Sequence, residues 1–524
     1  MKTQMAKEVY DVVIVGSGAC GGTAAAHLAR AGVNVCVVEG GPKVETRTDF
    51  NTHAMPFEFP NRAIPKMRNN KPGFDTERSR GLGGKSMLWN AVAWRFGPRD
   101  FEGYTREGVG YDWPIKYQDL APYYERIERE VGVCGNLDGL EDLPDGIFLP
   151  PAPMKCSDLY IQRGAAKLGM KVIHVRKSTL TRPKFGRPAC HYCGNCMAGC
   201  DVAAKYNSWD GHMRPLMKTG KITLQMDSVV YDIPVNSENR VTGVKFLNRT
   251  TLQPGEVHGK IVVLAAACVQ NVSLLLQSKS SRYPTGLANS SGRLGRDFMP
   301  HFTGGVEAFL TAMKGKPVVN DEGFLDHAYL PSFMHTRKRD YARSWGAQFN
   351  YQNRRSVGWA RNLPGMGQSL KAAVKERYPS YFVFSPYGEK TPDEKSYVDL
   401  DPAKKDKFGL PEVRRYLYWN ENDMKLFRDM QRQSVAILEA AGAEIHQVYQ
   451  EPRPNHEHGG TIMGKDPRKS VTDSYGRTHD VANLYTLGGN ILPSSSEKNP
   501  THTFMALSAR TAEHLIDRFK RREV

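Results

Sequence analysis

Four cysteines fall within eleven residues, as Cys190-x-x-Cys193-x-x-Cys196-x-x-x-Cys200. Zinc sites usually split their ligands into two separated pairs. This run has instead the C-x2-C-x2-C-x3-C spacing of an iron–sulfur loop, with Asp201 standing where ferredoxins place proline. Gly194 and Gly199 permit the sharp turns that wrapping a compact cluster demands. A zinc site with His191 taking part, or disulfides within the loop, are the competing readings. A second chemical group lies near the C-terminus, where Asn455-His456-Glu457-His458-Gly459-Gly460 sets two imidazoles beside a glycine pair. Histidine has the basicity for proton abstraction near neutral pH. Two histidines so close could also bind metal, but no third ligand follows at a convincing spacing. Further on, Asn499-Pro500-Thr501-His502 offers an amide and another imidazole. At the opposite end of the chain, Gly16-Ser17-Gly18-Ala19-Cys20-Gly21 reads G-x-G-x-x-G, a turn that lets backbone N–H groups approach a pyrophosphate.

The elements that must position these groups are legible around the glycine turn. Val12-Val13-Ile14-Val15 is an apolar run suited to a strand buried on both faces. A helix is expected over 22–31 and a second strand over 33–38, ending at Glu39, whose carboxylate can bind a ribose hydroxyl pair. The phosphate would lie at the helix N-terminus, where unpaired N–H groups and the helix dipole favour negative charge. A second glycine turn, Gly81-Leu82-Gly83-Gly84-Lys85-Ser86, leads into Met87-Leu88-Trp89-Asn90. Residues 261–267 form a late buried strand that runs into a helix over 269–276. Further along, 381–384 and 414–419 read as aromatic and β-branched strands. Residues 422–441 read as an amphipathic helix with Phe427, Met430, Ser434, Ile437 and Leu438 near one face.

Together, the N-terminal unit, the Gly83-Gly84 turn, the late strand and the tail from His456 resemble the glucose-methanol-choline (GMC) flavoprotein oxidoreductases. The resemblance covers nearly the whole chain and is weakest between about 305 and 395. It implies an α/β fold, a Rossmann-like FAD-binding domain plus an antiparallel-sheet substrate domain roofing the flavin. The expected boundaries are 1–300 for the FAD domain with its iron–sulfur loop at 190–200, 301–450 for the substrate domain, and 451–524 for the C-terminal return. Under the resemblance, Gly16, Gly18 and Gly21 hold the FAD pyrophosphate, Glu39 the ribose, and Gly83, Gly84 and Asn90 the flavin side. Some relatives carry a histidine that bonds covalently to flavin where this chain has Leu88, so non-covalent FAD is expected. His456 matches the catalytic histidine and Asn499 the second catalytic position, with His458 an alternative base and His502 set back from the substrate. Iron–sulfur relatives match Cys190, Cys196 and Cys200. Three ligands suit [3Fe–4S], and the additional Cys193 could complete [4Fe–4S].

The resemblance implies an FAD-dependent dehydrogenase that oxidises a sugar or glycoside hydroxyl, at the anomeric C1 or at ring C3 of a glucoside. Its electrons would leave through the cluster to an acceptor such as cytochrome c. An oxygen-using pyranose or C-glycoside oxidase with structural cysteines is the alternative within the same fold.

Composition sets the outer limits. At 524 residues the chain is too long for one compact core. Its 24% charged and 40% hydrophobic content argues against a disordered or fibrous chain. Lys and Arg exceed Asp and Glu by 72 to 55, giving +17, which favours an anionic partner. No nucleic-acid motif accompanies that charge, so an acidic redox partner is expected in preference to nucleic acid or lipid. Cys20, Cys36, Cys134, Cys156 and Cys268 read as buried small hydrophobes. No apolar run reaches the 18 or more residues of a membrane span. The apolar 12–15 run meets a glycine turn instead of a signal cleavage site. The resemblance implies a small export or chaperone subunit and with it a periplasmic location, with the cytoplasm as the alternative.

Overall fold

The computed structural model describes residues 9–50, 67–69, 80–194, 196–317, 325–333, 335, 337–350 and 357–524. Strand β1 (Val9–Val15), helix α1 (Ala19–Arg30) and strand β2 (Val35–Val38) form the expected strand–turn–helix–strand unit. The helix starts earlier than the sequence reading, directly after Gly18, because Ala19, Cys20 and Gly21 already take helical conformation. β1 pairs in parallel with β2 on one side and with Pro254–Leu264 on the other. Ile222–Gln225 extends the sheet beyond β2, and Leu484–Thr486 joins the far side of Pro254–Leu264, both in parallel. The early half of Pro254–Leu264 instead pairs antiparallel with Gly243–Asn248.

Strand periodicity divides the core. Val13, Val15, Val262 and Leu264 point to one face, where Val269, Val272 and Leu275 of the helix Cys268–Gln277 cover them. Val12, Ile14, Ile261 and Val263 point to the other, against Ala24, Ala25 and Leu28 of α1 and Ala512 and Leu515 of Thr501–Lys520. With both faces covered, the near-continuous apolar runs are what the sheet requires.

A second, antiparallel sheet runs in the order Ala443–Val448, Val306–Leu310, Tyr381–Gly388, Trp345–Asn350, Ala328–Leu330 and Ile173–His174. His301–Thr303 links Tyr381–Gly388 to the short strand Arg453–Asn455. The helix Glu421–Ala440 seats Phe427, Met430, Ile437 and Leu438 on Phe302, Val306 and Phe384 of this sheet. The strand expected at 414–419 is Pro411–Tyr416, and it lies elsewhere, in a small sheet with Tyr397–Lys405 and Met67–Asn69. Among the described residues, no helix is long and apolar enough to cross a membrane.

One expectation about the cysteines needs correcting. Cys36, Cys134 and Cys268 are buried, but Cys156 is exposed at the start of the helix Cys156–Lys167. Cys20 is half-buried and borders the main cavity.

Candidate active site

A cavity of about 450 Å³ is lined by residues from both sheets and from the C-terminal segment. Gly16, Gly18, Glu39, Gly84, Asn90, His456 and Asn499 all border it. Gly21 and Gly83 lie behind this wall, and their roles are in packing. A Cβ on Gly21 would come within 1.9 Å of the Gly16 carbonyl oxygen. Gly16 itself has φ +100°, and a Cβ there would meet the Ala265 carbonyl oxygen at 2.6 Å. These contacts bring the turn close to the strand Pro254–Leu264 and aim the start of α1 at the cavity. No side chain caps α1 at Gly18, so its first N–H groups are available to a pyrophosphate.

Glu39 is held in place by its own chain. The Ser17 hydroxyl and amide donate to its Oε2 at 2.5 and 3.1 Å, and the Gly41 amide donates to Oε1 at 2.9 Å. Burial pushes its pKa up, while the Ser17 and Gly41 donors and Arg80 act in the opposite direction. The Gly83 amide donates to Ser17 Oγ at 3.0 Å, which ties the second glycine turn to the first. Asn90 is clamped at both ends: its Oδ1 accepts from Lys177 Nζ at 2.7 Å, and its Nδ2 donates to Asp326. Leu88 turns away into an apolar cluster with Val44, Phe50 and Met87. The open helix terminus, the Glu39 carboxylate and the glycine-lined cavity fit an FAD.

His456 follows the strand Arg453–Asn455 with φ +40°, a conformation that costs a non-glycine residue roughly 1–3 kcal/mol and tends to cluster at functional sites. Its Nε2 lies 3.4 Å from Asn499 Nδ2, and its Nδ1 lies 3.1 Å from His301 Nδ1. The Tyr387 ring sits 5.5 Å from its own. Burial, then the positive Lys85 and the neighbouring His458, hold the His456 ring well below the ordinary histidine pKa. It is therefore a neutral imidazole at the cavity wall. His458 is fully buried, with Nδ1 3.2 Å from the Met299 carbonyl, and does not border the cavity. His502 is buried against Glu128 at 3.4 Å, with Arg95 on the same carboxylate. Geometry thus selects His456 over both neighbours as the imidazole able to meet a substrate.

His301, Gln348 and Tyr387 escaped the sequence reading. His301 is fully buried behind His456. Gln348 borders the cavity and donates to Asn499 Oδ1. No local motif marks either, since their partners lie about 150 residues away along the chain.

The cysteine loop adjoins this cavity. None of its four thiols borders it, but Met197, beside Cys196, does. Cys196 is buried, and Cys190, Cys193 and Cys200 are half-buried; none of the four is joined in a disulfide. His191 pairs with Asp201 at 3.0 Å instead of turning to the thiols. No three of the sulfurs meet within 4.8 Å, whereas a tetrahedral zinc with Zn–S bonds of about 2.3 Å would draw them closer. They are nonetheless electrostatic neighbours: burial, and then Cys196, Cys200 and Cys193, push the Cys190 thiol up. The Tyr192 amide donates to Cys190 Sγ at 3.3 Å, the kind of bond that tunes iron–sulfur clusters. Buried Lys205 joins the loop to the flavin-side turn, donating to the carbonyls of Cys196 at 2.7 Å and of Met87 and Trp89, each at 2.9 Å.

The family model of the GMC oxidoreductases matches this chain over residues 10–303 in its N-terminal part and 392–508 in its C-terminal part. The chain belongs to the GMC oxidoreductases. As an FAD-dependent GMC oxidoreductase it is similar to the fructose dehydrogenase large subunit of Gluconobacter japonicus, 30% identical across 97% of this chain and 98% of that one. It is also similar to 2-methyl-1,2-propanediol dehydrogenase of Mycolicibacterium austroafricanum, 28% identical across 97% and 95%. Its fold matches pyridoxine 4-oxidase from Mesorbium loti with a TM-score of 0.69 at 16% identity, covering 96% of this chain and 99% of that one. The GMC fold is therefore the architecture that brings His456 and Asn499 to the nucleotide cavity.

Proposed function

We propose that this GMC oxidoreductase is a dehydrogenase of sugars or glycosides that passes electrons to an external acceptor. The observation that carries the reading is the His456–Asn499 pair at the cavity wall. His456 Nε2 removes the substrate hydroxyl proton, and the developing alkoxide weakens the adjacent C–H bond. Asn499 donates to the same oxygen and orients that C–H bond without adding a second charge. FAD, held non-covalently by the Gly16–Gly21 turn, Glu39 and the Gly84–Asn90 segment, supplies the hydride acceptor when bound. The similarity to a fructose dehydrogenase large subunit supports a sugar as substrate, oxidised at the anomeric C1 or at ring C3.

Cys190, Cys193, Cys196 and Cys200 would hold an iron–sulfur cluster, [3Fe–4S] or [4Fe–4S], whose chemistry is one-electron transfer to an acceptor such as a cytochrome c. Support comes from the spacing of the thiols and from Met197, which brings their loop to the cavity. The reading includes a small export subunit and a periplasmic location, in keeping with a relative that is itself named a large subunit. The test is iron and sulfide content together with acceptor use. Cytochrome c or dye reduction under nitrogen with little peroxide in air is expected, and Cys196→Ser should lower bound iron and acceptor reduction while sparing flavin. Full activity with oxygen and no bound iron would favour the oxidase reading.

A further inference from the structure

Three side chains from distant segments meet in series at the cavity. Gln348, only 3% exposed, comes from the strand Trp345–Asn350 of the antiparallel sheet. Asn499 lies just before the helix Thr501–Lys520, and His456 just after the strand Arg453–Asn455. Gln348 Nε2 donates to Asn499 Oδ1, which leaves the Nδ2 end of that amide facing His456 Nε2 at 3.4 Å. A primary amide has one donor end and one acceptor end. With its oxygen engaged by Gln348, Asn499 offers His456 only a donor, and a donor must meet a lone pair. The His456 proton then lies on Nδ1, from which it donates to His301 Nδ1 at 3.1 Å. His301 then accepts at Nδ1 and carries its own proton on Nε2.

Turning both amides would reverse every link. Asn499 Oδ1 would face His456, Nε2 would carry the proton, and the lone pair would point to buried His301. In that state His456 presents no lone pair to the cavity. The two states differ at the head of the chain in which end of the Gln348 amide meets Asn499, and the donor end does so here.

We propose that Gln348 is a positioning residue for the oxidation, fixing the Asn499 amide so that His456 presents an unprotonated Nε2 to the substrate. This rests on the reading of His456 as the base. Neither His301 nor Gln348 needs to touch the substrate for it to hold.

The test uses full-length FAD-loaded enzyme labelled with 15N-histidine, whose ring shifts report the tautomer independently of turnover. The His456 signals are identified by their loss in His456→Gln. Wild type should show a protonated Nδ1 and a bare Nε2. Gln348→Met, which removes the donor, should mix the tautomers and slow anaerobic flavin reduction by D-fructose, or by the best sugar of a panel, about 10-fold. Gln348→Glu at pH 8 supplies only acceptors, so it should protonate Nε2 and slow reduction by about 100-fold or more, within the usual worth of a general base. Substrate affinity should change less than about 3-fold in both, since general-base loss acts on the rate. Reduction should partly return at lower pH, as the introduced carboxyl gains a proton to donate. A protonated Nε2 in wild type, or an unchanged tautomer and rate in both variants, would overturn the inference. Wild-type flavin reduction by His456→Gln would instead overturn the base assignment, whatever the tautomer.

Discussion

At the residue scale, the chemistry reduces to a neutral imidazole with an amide beside it. His456→Ala should retain FAD but slow anaerobic flavin reduction by a factor of about 10²–10⁴, the usual range for loss of a general base. Stopped-flow absorbance at saturating sugar measures this directly. The pH dependence follows from the surroundings of His456. Burial, Lys85 and His458 depress its pKa, so its active, neutral form persists to lower pH than for a free histidine near 6.5. The rate of flavin reduction should accordingly hold level as pH falls from 8 to 6. An acid limb centred near 6.5 would show that burial and Lys85 do not depress the base. That His456 and Asn499 could be singled out from sequence owes nothing to spacing; it came from resemblance. His301 and Gln348 stayed invisible because each acts through a contact made across the fold, and neither lies in a pattern of its own.

At the element scale, β1, α1 and β2 were legible because their signals are local: an apolar run, a glycine turn and a terminal acid within forty residues. The small sheet holding Pro411–Tyr416 was not, since strand propensity says nothing about which sheet a strand will join. The same limit hid Lys205. It reads as one more surface cation, yet it is 2% exposed and binds three carbonyls from two loops. Burial draws its ammonium down to about 8, against the pull of Cys196 and Cys200. Lys205→Met would leave those carbonyls without a donor, at a cost of roughly 1–3 kcal/mol for each one that stays dry. Urea unfolding should show a loss of at least about 2 kcal/mol, accompanied by weaker FAD retention. An unchanged midpoint would mean that the cysteine loop and the flavin-side turn are held together by other contacts.

At the scale of the whole molecule, two buried histidines and two ion-paired carboxylates favour sensitivity to acid, while Glu39, Asp326 and Glu389, raised chiefly by burial, work against it. His458 is lowered to about 4 and His327 to about 3, both chiefly by burial. Their unfolded counterparts take up protons below about 6.5. As pH falls from there, the unfolded chain binds protons that the folded one refuses, and stability drops. Glu128 is held down to about 2 by Arg95 and His502, which outweigh its burial, and Glu107 to about 2 by His335, the Arg343 amide and Arg339. Their contribution is complete above the unfolded carboxylate value of about 4.3 and declines as pH falls from there toward 2. Glu128→Gln should therefore lose stability at pH 7 and show a thermal midpoint that depends less on pH below about 4.3 than in wild type. Equal pH dependence of the two proteins below about 4.3 would contradict this accounting. The domain plan was read from the sequence chiefly through the same resemblance. The packing that makes one cavity from two sheets and a returning C-terminal segment was not, because it depends on contacts between residues hundreds of positions apart.

The central claim is that His456, at the cavity between those sheets, activates a sugar hydroxyl for oxidation by bound flavin. Its most direct test is anaerobic flavin absorbance after mixing with a panel of sugars and glycosides, in wild type and His456→Ala. Full bleaching by at least one sugar in wild type, with bleaching at least about 100-fold slower in the variant, is the predicted result. No bleaching by any sugar, or equal bleaching in both proteins, would contradict the account.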